Sequence, residues 1–284
     1  MKIIIILFYL ISYSSIVIAK VYKVNRKLLG VSLNWQTNSY KDNKTTITYY
    51  NINEKRFGES LDPQCLWRSL HNGVCENTFH RYSKKINLLS RQFSIETEYA
   101  FDSIKKMKSE KLYQDYGGLS QGYILEMLKN KIENNIIVNY SGDFYLKNSF
   151  QLDNHTIILT DPLWEKIPFA TISMNSGFII ASGSNLLGGL IRSSSDLDPT
   201  NRIQKVVLFA APQFSGTRLD AWATAIIAGG KKTLGILQEK KKYRRLWGYI
   251  YFNVSGEPIC SSNIKCEFDS TKRTIVVPRW ENNL

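Results

Sequence analysis

The sequence predicts an α+β protein whose sheet is mixed or largely antiparallel and is flanked by helices. Three observations carry this expectation. Apolar runs of strand length and stripes of helical period both occur, but without the strict alternation that a doubly wound parallel sheet requires. Hydrophobic residues make up 43% of the 284 positions and charged residues 21%, the balance of a folded chain rather than a disordered one. No internal repeat is present, and the length suffices for one large core.

The chain opens with Met1-Lys2 and the apolar run Ile3 to Leu10, followed by hydroxyl-rich residues and Val17-Ile18-Ala19. One positive charge, an apolar stretch and small residues before a break form a secretory leader pattern. Residues 1–19 therefore read as a signal peptide cleaved after Ala19, and 20–284 as a single exported domain in the periplasm or cell envelope. An uncleaved leader would give membrane association through the same residues. The stretch Ile3–Ala19 lies at the lower limit for a span.

Beyond the leader, residues 20–60 are polar, with a β-like stretch at Thr45 to Ile52. From Ser94 to Met107, Ile95, Tyr99 and Ile104 are spaced for one helical face. A clearer helix follows, with Ile124, Leu128 and Ile132 at fourfold spacing and Leu125 widening the stripe. Short strands are expected at Ile136–Val138, Ile157–Leu159, Phe169–Ile172, Phe178–Ile180 and Val206–Ala210. A helix from Leu219 to Ala228 should end at Gly229-Gly230. A further helix carries a basic cluster, and Trp247 to Val254 reads as the terminal strand before the turn Ser255 to Pro258.

Lys and Arg total 37 against 24 Asp and Glu, a net charge of +13. The densest cluster, Lys231-Lys232 and Lys240 to Arg245, could attract anionic lipid or a phosphate-bearing ligand, or be a solvated helix end, and export argues against nucleic acid as a partner. Four cysteines in an exported chain suggest two disulfides, most simply Cys65–Cys75 and Cys260–Cys266.

Three local patterns are suited to chemistry. Asp115 to Tyr123 contains Gly117, Gly118 and Gly122 at a helix start, where backbone can approach a ligand closely and the first N–H groups suit an anion. The embedded Gly118-x-Ser120-x-Gly122 matches a serine-hydrolase elbow, but no buried strand precedes it and only His155 follows, so that reading fails. In Asp220-Ala221-Trp222-Ala223-Thr224 the Asp and Thr share one helix face; they could converge on Mg²⁺, or Asp220 could cap the helix. The turns Ser141-Gly142-Asp143 and Ala181-Ser182-Gly183-Ser184 each follow a strand, as hairpins or as ligand contacts.

In order and spacing, these patterns resemble the ApbE family of exported flavin transferases, from about Asp115 to Pro258. Asp115 to Tyr123 is similar to D-x-G-G-[IL]-[AS]-[KQ]-G-Y, Asn139 to Asp143 to N-x-G-G-[DE], and Ala181 to Ser184 to T-S-G-[DS]. The strand ending in Asp161-Pro162 and the element Asp198-Pro199-Thr200-Asn201 also match. Leu219 to Thr224 is similar to the metal-binding A-D-A-x-x-T. The resemblance implies an ApbE-like domain that takes FAD as substrate with Mg²⁺ and joins FMN to a Thr or Ser hydroxyl of an exported acceptor protein. It implies the Ser120 carbonyl, Asp220 and Thr224 as metal ligands, with Asp220 the catalytic residue. Gly117, Gly118, Gly122, Ser141, Gly142, Asp143, Ser182, Gly183 and Ser184 would then line the nucleotide. Where the family carries a His three residues before the Asp of the Asp-Pro element, this chain has Ser195, and Asn201 replaces the element's closing Gly. A flavin-binding protein without transfer activity, or a pyrophosphatase releasing FMN and AMP, are the alternatives. An Asp220 side chain exposed at a metal site would contribute little to stability.

Overall fold

The computed structural model describes residues 22–28, 31–39, 41–47, 83–102, 104–106, 112–114, 117–152, 156–162, 167–183, 198–240, 247–269, 273–278 and 280. The strands are β1 (Tyr22–Leu28), β2 (Val31–Thr37), β3 (Ile104–Lys106), β4 (Leu112–Gln114), β5 (Ile136–Tyr140), β6 (Asp143–Lys147) and β7 (Ile157–Thr160). They continue as β8 (Pro168–Ser173), β9 (Gly177–Gly183), β10 (Lys205–Ala210), β11 (Trp247–Phe252), β12 (Pro258–Cys260), β13 (Lys265–Phe268) and β14 (Arg273–Val276). The longer helices are α1 (Ser83–Glu96), α2 (Gly117–Lys129) and α3 (Gly216–Glu239).

Eight strands form the main sheet in the order β1-β2-β5-β6-β9-β10-β11-β12, with every neighbouring pair antiparallel. A second sheet, β13-β14-β8-β7, contains one parallel pair, β14 with β8. The fold class is therefore the expected mixed α+β. Successive residues of a strand face opposite sides, and β10 shows what each side meets. Val206, Leu208 and Ala210 pack with the helices, while Val207 and Phe209 pack against the small sheet. Because both faces are covered, β10 and β11 are buried throughout and, after Lys205 at the start of β10, read as continuous apolar runs. The result is three layers: helices, main sheet, small sheet.

Several expectations require correction. Residues 41–47 are helical, so the β-like reading of 45–52 fails over its described part. The helix placed at 94–107 instead spans Ser83–Glu96. Its buried stripe is Ile86, Ser90, Phe93 and Ser94, whereas Ile95 and Tyr99 are 67% and 71% exposed. Thr97 terminates it by donating its hydroxyl to the Phe93 carbonyl, and Glu98 and Tyr99 adopt left-handed backbone. Strands β1, β2 and β6 fall in stretches read as polar or as turn, and three strands follow the supposedly terminal β11. Cys260 and Cys266 are bonded as expected and close the segment between β12 and β13. Cys65 and Cys75 lie outside the described residues. Among the described residues no helix is long and apolar enough to cross a membrane, and residues 1–19 are not among them.

Helix α3 was expected to break at Gly229-Gly230, and it does: Gly230 has φ 66° and ψ −152° within an otherwise continuous helix. The segment after the break buries Leu234 and Leu237 and presents Lys231 and Lys232 to solvent. Its exposed N–H at Lys232 donates to the side-chain oxygen of Asn201 at 3.1 Å. The residue that departs from the family pattern thus acts as a helix cap from a neighbouring turn. Replacing Asn201 with Ala should lower stability by about 1 kcal/mol in chemical denaturation, the usual cost of losing a cap.

Candidate functional site

The site is built where α2 and α3 cross. Gly118 and Gly122 lie on the face of α2 that meets α3, and the approach leaves no room for a side chain. A Cβ on Gly122 would fall 2.2 Å from the Gly216 carbonyl oxygen and 2.6 Å from the Asp220 Cβ. One on Gly118 would fall 2.6 Å from the Thr224 methyl. These glycines, expected to admit a ligand to the backbone, first admit the second helix. Through this contact the Gly122 N–H donates to Asp220 Oδ2 at 2.8 Å, and the Thr224 hydroxyl donates to the Gly118 carbonyl at 3.1 Å. The Gln121 N–H also serves Asp220. The N–H groups at 121 and 122 are therefore committed to a carboxylate of the protein itself.

Asp220 is not the helix cap. That role belongs to Ser215, whose hydroxyl accepts from Arg218 N–H, and Asp220 lies one turn further in. Nor is it exposed, being only 5% accessible. Burial pushes its pKa up to about 7, against the opposing effect of the two N–H donors.

Two carboxylates that the sequence did not single out hold α3 in place. Glu126, one turn beyond Gly122, accepts from the Ser215 hydroxyl at 2.7 Å and from the Thr217 N–H at 3.0 Å. Glu96 at the end of α1 accepts from Trp222 Nε1 at 2.8 Å and from Arg218 Nε at 3.2 Å. Together they fix the position and rotation of the helix carrying Asp220 and Thr224. Nothing in the local spacing of Glu96 or Glu126 signals this, since their partners lie roughly a hundred residues away.

The sheet contributes the remaining residues. Ser141 (φ 54°) and Gly142 (φ 102°) form the tight turn of the β5–β6 hairpin, with the Asn139 side chain accepting from Gly142 N–H. Both turn residues are exposed, and only the positive φ demands glycine at 142. Asp143 directly after the turn is 2% exposed and lies on the face of β6 that Tyr145 turns toward the helices. Its Oδ1 accepts from the Ala181 N–H at 2.9 Å. The β6–β9 ladder stops at Phe144–Ile179, while β9 continues to Gly183, so the Asp143 carboxylate caps the strand beyond the last pair. Ser182 and Gly183 follow, both buried. Asp143 has its pKa raised well above the usual carboxylate range, first by burial and then by the negative charge of Asp220.

The structure thus places Gly118, Gly122, Asp220 and Thr224 along one helix crossing, with the Asp143 carboxyl near enough to Asp220 to feel its charge and Ser182 next to the Asp143-bonded Ala181. Gly117 opens α2, and Ser120 lies buried in its first turn. Ser184 and Ser195 are outside the described residues. Among the described residues there is no cluster of three or more His, Cys, Asp or Glu side chains. The donors here are instead hard oxygens: two carboxylates, a threonine hydroxyl and backbone carbonyl groups. The second Asp143 oxygen is buried without a hydrogen-bond partner. A buried set of hard oxygens with an unsatisfied member fits Mg²⁺, and it lacks the soft or nitrogen ligands that favour zinc.

This three-layer α+β architecture is that of a known class of solved structures. The ApbE protein of Thermotoga maritima superposes with a TM-score of 0.61 at 15% identity, over 86% of this chain and 97% of that one. The flavin transferase ApbE of Vibrio cholerae gives 0.60 at 12% identity, covering 86% and 98%. The flavinyl transferase ApbE of Pseudomonas stutzeri gives 0.60 at 13%, covering 86% and 95%. The shared fold extends well beyond the half of the chain that carries the sequence motifs. No family model and no curated protein matches the sequence.

The raised carboxylates make stability depend on pH. In the unfolded chain Asp220 loses its proton near 3.8, whereas the folded protein retains it up to about 7. The folded state therefore binds more protons across that interval, and stability falls as pH rises through it. Thermal unfolding of metal-free protein should show a falling Tm between those values, and Asp220→Asn should flatten the slope.

Proposed function

We propose that the chain is an exported FAD:protein FMN transferase that uses Mg²⁺. The observation that best supports this reading is the convergence of Asp220, Thr224 and Asp143 at the α2–α3 crossing, within a fold shared with flavin transferases. Asp220, Thr224 and the Ser120 carbonyl would hold the cation. When bound, the cation neutralises diphosphate charge and stabilises the charge of phosphoryl transfer. The segments at Gly117–Gly118, Ser141–Asp143 and Ser182–Ser184 would line the nucleotide.

In the transfer, a Thr or Ser hydroxyl oxygen of the acceptor bonds to the FMN phosphorus. The diphosphate P–O bond breaks, AMP departs, and the hydroxyl proton passes to solvent or to an oxyanion. The described residues act chiefly by position. Glu96 and Glu126 set α3, the glycine contacts set α2 against it, and burial excludes water from Asp220. Ser195 in place of the family's His leaves this chain without an imidazole after His155, so general-base assistance at that position is reduced.

Purified protein incubated with FAD, Mg²⁺ and a Thr-containing acceptor peptide should release AMP and yield a flavinylated peptide. Asp220→Asn keeps an acceptor for the Gly122 N–H but removes the charge, and should lower AMP release by about a hundredfold or more. Tight flavin retention without AMP would identify a binding protein instead. AMP and free FMN without labelled peptide would identify a pyrophosphatase.

A further inference from the structure

Asp143 is the least explained group in the molecule. It is almost fully buried and lies beside a second buried carboxylate, and one of its oxygens has no partner among the described residues. Its visible role, accepting the Ala181 N–H that caps β9, needs only one oxygen and no charge. An asparagine would accept the same N–H without the desolvation cost of a carboxylate or the repulsion from Asp220. The cap alone therefore leaves the second carboxyl oxygen, and its capacity to ionise, without a use in the fold.

We propose that Asp143, besides closing the turn that would line the nucleotide, is a second carboxylate for the divalent cation of Asp220 and Thr224. The inference rests on the cation reading given above and extends it. Three features support it. Asp143 Oδ1 is anchored to β9, so the carboxylate cannot swing to solvent. Its face of β6 is the one turned toward α2 and α3. Its Oδ2 is left free, while Asp220 Oδ2 and the Thr224 hydroxyl are held by α2. Two carboxylates bring two negative charges to one divalent ion, so the cation can be held before any nucleotide arrives. With Asp220 as the only carboxylate, binding would depend far more on the phosphates of the ligand.

The test is titration of the nucleotide-free, full-length protein with Mn²⁺ as probe, by calorimetry and by the loss of the free-ion paramagnetic resonance signal. The buffer should lie about one pH unit above the Asp220 value of about 7. Wild-type protein should bind one Mn²⁺, and Asp143→Asn should weaken binding by about tenfold or more. The same variant, freed of carboxylate repulsion, should have a higher Tm without metal. Equal Mn²⁺ affinity in Asp143→Asn and wild type would overturn the assignment and leave Asp143 as a strand cap. Failure of wild type to bind Mn²⁺ without nucleotide would also overturn it. The transferase reading would then stand or fall separately on AMP release with FAD present. Should Asp143→Asn fail to fold, Asp143→Glu keeps the charge but displaces the carboxylate, and an unchanged affinity there would equally reject the proposal.

Discussion

The hydrogen bond from the Gly122 N–H to the buried Asp220 carboxylate is the contact on which the rest of the site depends. It forms only because two backbones approach to a distance that excludes any side chain at position 122. That approach also brings the Gly118 carbonyl to the Thr224 hydroxyl. A carboxylate buried at such a crossing is costly unless donors or a cation balance it. The protein supplies backbone donors on one side and leaves the other side facing Asp143.

The sheet provides a second constraint. β6 ends its pairing with β9 two residues before Ala181, and Asp143 bridges the gap with its own side chain. This extends β9 to Ser182 and Gly183 without a neighbouring strand on that edge. Asp143 thereby ties the start of β6 to the end of β9 on the face that meets the helices. Neither layer makes the site alone: the helices hold Asp220 and Thr224, and the sheet presents Asp143. The rotation of α3 depends in turn on Glu96 and Glu126, two charges at the ends or edges of other helices.

Much of the fold was legible where burial is one-sided and periodic. Ile124, Leu125 and Leu128 mark the buried face of α2, which ends at Lys129, before the expected Ile132; the apolar runs of β5, β7, β8, β10 and β11 were placed within a residue or two, and β9 runs three residues past its expected end. The failures have physical causes. In α1 the buried stripe includes Ser90 and Ser94, so an apolar count followed Ile95 and Tyr99, which point to solvent. β1 pairs with the main sheet only through β2, and β13 and β14 belong to a thin outer sheet with an exposed face, so none is a continuous apolar run.

For the site, the sequence by itself determined the identity and order of the chemical groups: the glycine-rich helix start, the Asp and Thr one turn apart, and the Asp after a tight turn. Those are local facts, set by spacing along one helix or one hairpin. Only the tertiary structure decided that Asp220 is buried, that the glycines serve a helix crossing, and that Asp143 stands beside Asp220. Each of these is a contact between segments far apart in the chain. Their energies depend on desolvation and close approach, and local periodicity carries no information about either.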